Sequence, residues 1–409
     1  MRHVVLRVFL PFAAGYCLSY AVRNINAVIA PDLTGSLGLS AASLGLLTSA
    51  YFLTFALFQL PLGILLDRFG PRRVESVLLL FAALGAYLFA RGESVGELVL
   101  ARAFIGLGVS ACLMASFKAF VMWFPSDRLP LVYGCIMAVG GFGALLATAP
   151  LESLLGVIDW RGVFLMLAAV AVAASAAIFL SVPVRPEENA AARESTLDQV
   201  RGTLGVFSSP LFWRIAPMAT ASQGAFLAIQ GLWAGPWLHD VAGLSRAGVA
   251  EHLALIPVSM IAGFLCMGFI SDRLRRYGVR TVTVAAGGML LFVMAQFVIV
   301  GATLVPPVVI WCVFGFFGTS GILCYAVLSQ SFPKTLAGRV NTALNVLAFS
   351  AAFGAQWGLG GLIGLWPAEV PGRYEPAGYG LAFGIAAGVQ LLAFVWMVWP
   401  RRSAAARFL

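Results

Sequence analysis

The chain has 409 residues, of which 61% are hydrophobic and only 11% charged, and its mean hydropathy is +0.94. Soluble domains carry about 45–50% apolar and about 25% charged residues, so this composition excludes an ordinary soluble globular protein and predicts a polytopic membrane protein. The formal charge of +9 would suit nucleic acid only if the cations were clustered for it, and their placement, below, argues for a membrane orientation instead.

A bilayer core asks for about 20 mainly apolar residues per spanning helix. Runs of that length predict twelve spans, at 8–30, 43–66, 74–91, 98–122, 131–154, 162–182, 212–238, 249–270, 281–303, 308–330, 340–364 and 378–399. The fold class expected is therefore an all-α membrane protein. The first run has no small-residue cleavage site and reaches full spanning length, so it reads as a retained helix and not a signal peptide.

The first span holds Tyr16, Tyr20, Arg23 and Ala27 at i, i+4, i+7 and i+11, which puts two phenols and a guanidinium on one helical face, flanked by Ser19 and Asn26. Between the second and third spans runs "GILLDRFGPRRV", with Gly63, Asp67, Arg68, Gly70, Arg72 and Arg73. Gly63 would permit close helix approach, Gly70 with Pro71 would force a tight turn, and Asp67 beside the arginines would make charge-assisted contacts that hold one conformation. The segment reads as a conformational latch. The fourth span carries Arg102 and Lys118, each about one turn from an end, where a long cation can snorkel.

A polar stretch follows the sixth span and predicts a cytoplasmic linker at 185–211 between a six-helix bundle at 1–184 and a second at 212–409. In span seven, Gln223, Phe226, Gln230, Trp233 and Trp237 form one continuous face suited to lining a cavity for a polar organic ligand with an apolar part. Tyr325 and Ser329 share a face of span ten and are further candidates for lining the substrate cavity, while Asn341 and Asn345 on span eleven read as helix-to-helix bonding groups. All six cysteines fall in apolar runs, where a buried thiol without a disulfide is expected.

Three ionisable residues are expected inside spans: Arg23, Arg102 and Lys118. An Asp, Glu or His well inside a span, the usual proton carrier, is read as missing. Of the 26 Lys and Arg, four (Arg91, Arg161, Arg246 and Arg373) face one side of the predicted topology and nineteen the other. That bias places both termini in the cytoplasm and leaves anionic lipid, not nucleic acid, as the partner of the cations.

The loop segment recurs as "GFISDRLRRYGVRTV", with Asp272 and Arg273, 205 residues after Asp67; "WFPSDR" and "SFPKTLAGR" form a weaker echo 208 residues apart. The chain is a duplication of six spans. Like-oriented repeats put a substrate site at the midplane between them and suit alternating access. With this repeat and the loop pattern Gly-x-x-x-Asp-Arg-x-Gly-x-Arg-Arg, the chain resembles the major facilitator superfamily over essentially its whole length. "ARAFIGLG", with Arg102, Gly106 and Gly108, is similar to that family's fourth-helix pattern, with Ile105 where a glutamine is often found.

The resemblance implies that Asp67, Asp272 and their neighbours gate transport and do not touch substrate. Tyr20, Val22, Arg23 and Asn26 resemble the first helix of the organophosphate antiporters and the anion:cation symporters, in which an arginine contacts the substrate's anionic group, and Lys118 stands where the symporters often carry a second arginine. Val22 replaces an acidic residue of the symporters, and span seven lacks the antiporters' second phosphate-binding arginine, which favours a carboxylate over a phosphate ester. The function expected is a secondary active or facilitative transporter, symporter or antiporter, of a small organic anion in a bacterial-type inner membrane, acting as a monomer. The rival is an exporter of amphiphilic drugs, for which "TAPLESLLG" in span five offers a weak echo with Ala149 in place of the expected glycine. No GxxxxGK[ST] run and no catalytic constellation occurs, so no enzyme activity, cofactor or metal is expected.

Overall fold

Backbone polar groups in a bilayer have no water to bond, so each crossing must satisfy its own hydrogen bonds, and a helix does this. The computed structural model describes residues 2–125, 128–183, 204–301, 305–333, 336–366 and 373–399, and among these it contains helices and no strands. The chain divides into two compact units, Met1–Glu194 and Ser195–Leu409. Most of the expected linker lies outside the described residues, as does part of the Phe-Pro echo.

In the first unit the chain runs through Leu10–Asn24, Asn26–Leu37, Ala41–Arg91, Val95–Val109, Cys112–Trp123, Leu129–Leu146, Ala149–Leu155 and Trp160–Ser181. Starts are capped where the sequence supplies a short polar side chain: Ser40 accepts from the Ser43 amide, Ser94 from Glu97, and Asp159 from Gly162. The second unit runs through Pro210–Ala228, a π-turn at Ile229–Trp233, Ala234–Asp240, Arg246–Arg275, Thr281–Gly301, Pro307–Phe317, Ile322–Ser331, Ala337–Ile363 and Pro376–Val398.

Among the described residues, ten helices are long and apolar enough to cross a membrane, against the twelve spans expected. The second and third spans are fused in the 51-residue Ala41–Arg91 helix, because the turn has shrunk to Gly70 alone (φ 74°, ψ 161°), a conformation that a side chain would strain. The seventh expected span stays helical through its π-turn, from Pro210 to Asp240, but it carries Arg214, Gln223 and Gln230 and is not among the ten apolar helices.

Interruptions also repeat between the units. The first expected span breaks at Ile25 and the seventh passes into its π-turn at Ile229–Trp233; the fourth breaks at residues 110–111 and the tenth at 318–321. Within each unit helices meet over small residues, as apolar side chains gain little from leaving lipid for one another. Gly106 lies against the Tyr51 carbonyl, Gly108 against the Ala82 backbone, and in the second unit Gly263 lies against Phe316 and Gly315 against Ile256. Large apolar side chains such as Leu57, Leu180, Phe269 and Leu392 are exposed on the outside, the inside-out surface of a protein solvated by acyl chains.

Candidate functional site

The first helix delivers Arg23 to the interior of the first unit two residues before its break at Ile25. The side chain is buried, and its Nε donates to the Tyr51 hydroxyl at 3.4 Å. The guanidinium carbon sits 4.7 Å from the ring centroid of Tyr20, 5.4 Å from Phe55 and 5.8 Å from Tyr51. Such contacts contribute about 0.5–2 kcal/mol each when desolvated, so three rings and a phenol hold the charge where water does not reach. Tyr16 packs edge-on to Tyr20 with centroids 5.1 Å apart, and its hydroxyl meets the Met137 sulfur at 3.6 Å.

Two neighbours shape this cage. Gly140, in the "GGFG" run, leaves room for the phenols: a Cβ there would stand 2.6 Å from a Tyr16 ring carbon and 3.0 Å from Tyr20. Arg102 donates from Nη1 to the Val22 carbonyl at 3.0 Å. It is buried and bonds the backbone of the first helix beside Arg23, in place of the snorkelling that its sequence position allows. Past the break stands Asn26, fully buried with neither its amide nitrogen nor its oxygen hydrogen-bonded. A buried unsatisfied amide costs about 1–3 kcal/mol, which a ligand with a complementary polar group would recover. Arg23, Tyr16, Tyr20 and Asn26 are thus brought together around one helix break.

Lys118 is brought elsewhere. Its Nζ lies 2.5 Å from Asp67 Oδ1 and 2.7 Å from the Leu66 carbonyl. The cation expected to assist substrate binding is therefore paired at the corner read as a latch, because the break at residues 110–111 starts a new helix whose second turn reaches that corner. Arg72 donates to the Phe179 carbonyl and lies 4.7 Å from that ring's centroid, tying the same corner to the sixth span. Arg68 and Arg73 are exposed. The close approach expected of Gly63 is absent: it is exposed, and no described atom lies within 4 Å of where its Cβ would stand.

In the second unit the repeated latch is more open, with Asp272 and Arg275 paired at 3.5 Å on an exposed helix end and Arg273 lying over the Tyr277 ring at 5.8 Å. Gln223 is half-buried and Gln230 buried within the π-turn. Trp233, expected to line a cavity, is fully buried, and its indole nitrogen donates to the Gln356 carbonyl at 3.0 Å; the π-turn rotates it into the Ala337–Ile363 helix. Trp237, expected on the cavity-lining face, packs edge-on against Trp311 inside the unit. Tyr325 donates to Asn345 and Ser329 to Asn341, each at 2.7 Å, the helix-to-helix bonding expected of those asparagines.

With this geometry in place, the likeness to known proteins can be stated. Residues 12–356 match the family model described as Major Facilitator Superfamily. The chain belongs to the major facilitator superfamily. It is 22% identical to the "Probable sulfoacetate transporter SauU" of Cupriavidus necator, over 97% of this chain and 87% of that one. It is 23% identical to the "Probable L-galactonate transporter" of Escherichia coli, over 82% and 78%. Among solved structures it is similar to the D-xylose-proton symporter, with a TM-score of 0.73, 16% identity and 97% coverage of each chain. The superfamily fold accounts for the repeated interruptions, and the chain is a multi-pass membrane transporter.

Sequence reasoning missed three features of this superfamily member. Tyr51 and Phe55 complete the cage of Arg23; their i, i+4 spacing in "SAYFLTF" was the available signal. Gln296 and Gln390 exchange amide hydrogen bonds at 3.0 and 2.8 Å inside the second unit, clamping two helices together. Glu75 corrects the expectation that no carboxylate lies inside a span. It is the second residue of the span expected at 74–91 and is fully buried, because the one-residue turn at Gly70 lets the helix continue and its neighbours enclose it.

Proposed function

We propose that this transporter moves a small organic anion bearing a carboxylate across a bacterial-type inner membrane by alternating access, with Arg23 as the group that contacts the anion. The observation that carries the reading is the buried guanidinium held among Tyr20, Tyr51 and Phe55 beside the unsatisfied amide of Asn26. A guanidinium offers a planar donor fork that matches a carboxylate, and transporters of this architecture build substrate sites at interrupted helices. The names of its relatives, which concern sulfoacetate and galactonate, support an anionic substrate. Tyr16 and Tyr20 shape the apolar side of the site, and the protein works as a monomer with both termini in the cytoplasm.

Lys118 and Asp67 act in this scheme as the latch and not as substrate ligands. Gln223 and Gln230 are the second unit's candidates for contact with the uncharged part of the substrate. A thermal-shift screen of the purified protein against mono- and dicarboxylates, sugar acids, sulfonates, phosphates and cationic drugs, beside Arg23→Ala, tests the proposal. A carboxylate that stabilises the wild type and not the variant supports it. Equal stabilisation of both, or stabilisation by cationic amphiphiles alone, replaces it with the exporter reading.

A further inference from the structure

Glu75 stands one and a half turns beyond Gly70 in the Ala41–Arg91 helix, fully buried, with neither carboxyl oxygen in a hydrogen bond of good geometry. Its carboxyl rests against Gly15 of the first helix, where a Cβ would stand 2.5 Å from Oε1, and the polar group facing it is the Cys112 thiol at the start of the next helix. Gly15 is the residue before Tyr16, so the Glu75 carboxyl rests on the first helix beside the cage described above.

The charged and titratable groups on the surrounding elements are spent elsewhere. On the first helix, Tyr16 is directed to Met137 and Tyr20, and Arg23 to Tyr51; Arg7, before it, is exposed. Cys17 lies on the helix face turned toward Gly143. Beyond Cys112, Lys118 is held by Asp67. Arg102 bonds the Val22 carbonyl, and Glu97 caps the start of its helix. Arg161, on the Trp160–Ser181 helix, bonds the carbonyls of Ala90 and Gly92. On Glu75's own helix, Arg72 bonds the Phe179 carbonyl, Tyr51 accepts from Arg23, and Asp67, Arg68, Arg73, Tyr87 and Arg91 are exposed. No described cation is placed to neutralise a Glu75 carboxylate.

An unpaired carboxylate in hydrocarbon is so costly that the group takes a proton instead, and intramembrane carboxyls mark proton pathways in transporters. We propose that Glu75 is the proton-carrying group of this transporter, neutral when enclosed as it is here, and loaded and discharged as the conformation exposes it to one face or the other. The proton is taken from water onto a Glu75 oxygen and returned from the same oxygen to water; that O–H bond is the one made and broken. Through its contact with the first helix at Gly15, the protonation state of Glu75 biases the occupancy of the Arg23 site, which couples proton movement to anion movement. The coupling part rests on the anion reading above, whereas the proton site itself does not.

Infrared titration of the purified protein in lipid nanodiscs tests the proton site without any substrate. The wild type is expected to show the carbonyl stretch of a protonated carboxyl, lost on ionisation as pH rises, and Glu75→Gln to lack it. Glu75→Asp, which keeps the carboxyl, is expected to retain it and guards against a merely misfolded variant. Persistence of the wild-type band in Glu75→Gln overturns the proposal.

A second arm uses proteoliposomes with an internal pH dye and any carboxylate found by the Arg23 screen. The wild type should carry protons with the anion, while Glu75→Gln should continue anion exchange with its proton flux reduced by about tenfold or more. Equal proton flux in both overturns the proposal. If the screen yields no carboxylate, the anion reading has failed and the infrared result alone decides the proton site.

Discussion

Burying the guanidinium of Arg23 costs about 2.5–3.5 kcal/mol on insertion scales, and the Tyr51 hydroxyl with the faces of Tyr20, Tyr51 and Phe55 offsets that cost. The two contributions can be separated. Tyr51→Phe keeps the ring and removes the acceptor, a loss of about 1 kcal/mol; we expect a protein that melts within a few degrees of wild type and binds its carboxylate about fivefold more weakly. Isothermal titration beside a thermal melt checks both. Arg23→Lys keeps the charge but not the planar fork, and should weaken carboxylate binding by about tenfold to a hundredfold. Of this cage, the phenols and the arginine were legible in the sequence from their shared helical face. Tyr51 and Phe55 were not, because periodicity describes one helix at a time and says nothing of which face of a neighbour it meets.

The helix breaks and the small-residue contacts set the positions of these side chains. Gly140→Ala would place a methyl against Tyr16 and Tyr20; overpacking costs about 1–3 kcal/mol, and we expect a lower melting temperature together with weaker binding, since the displaced rings belong to the cage. Gly108→Ala meets the Ala82 backbone instead, and should lower the melting temperature without a selective loss of binding in the material that remains folded. The latch belongs to this scale also. Lys118 and Asp67 are partly exposed, with side-chain exposures of 30% and 61%, so their pair contributes less than about 1 kcal/mol to stability. In the proposed scheme its role is kinetic: Lys118→Ala is expected to slow transport severalfold while the affinity measured by titration stays within about twofold of wild type. The charge swap Asp67→Lys with Lys118→Asp should recover part of the rate. The sequence placed a latch at "GILLDRFGPRR" but gave its ion pair to neighbouring arginines. Lys118 supplies it, 51 residues away, because a turn at residues 110–111 brings its helix to the corner.

Across the whole chain the duplication was the most legible feature, since a loop motif repeated at half the length needs no structure to be seen. The all-helical membrane fold followed from composition and run length, and the superfamily match over residues 12–356 bears it out. Legibility ended where a helix continued through an expected loop. Gly70 compressed a turn to one residue, fused two expected spans and enclosed Glu75, the second residue of the span expected at 74–91 and a carboxyl that reading by loops passed over. The site reading converges on a single test. Saturable uptake of a labelled carboxylate should be measured in proteoliposomes for the wild type, Arg23→Lys and Arg23→Ala, each shown by its melting curve to be folded. If Arg23 holds the anion, kcat/KM falls by about a hundredfold or more in Arg23→Ala, about 2.7 kcal/mol of lost stabilisation, with Arg23→Lys between. Folded Arg23→Ala protein that takes up the carboxylate at the wild-type rate and affinity would show that Arg23 only packs the first unit, and that the anion is bound elsewhere.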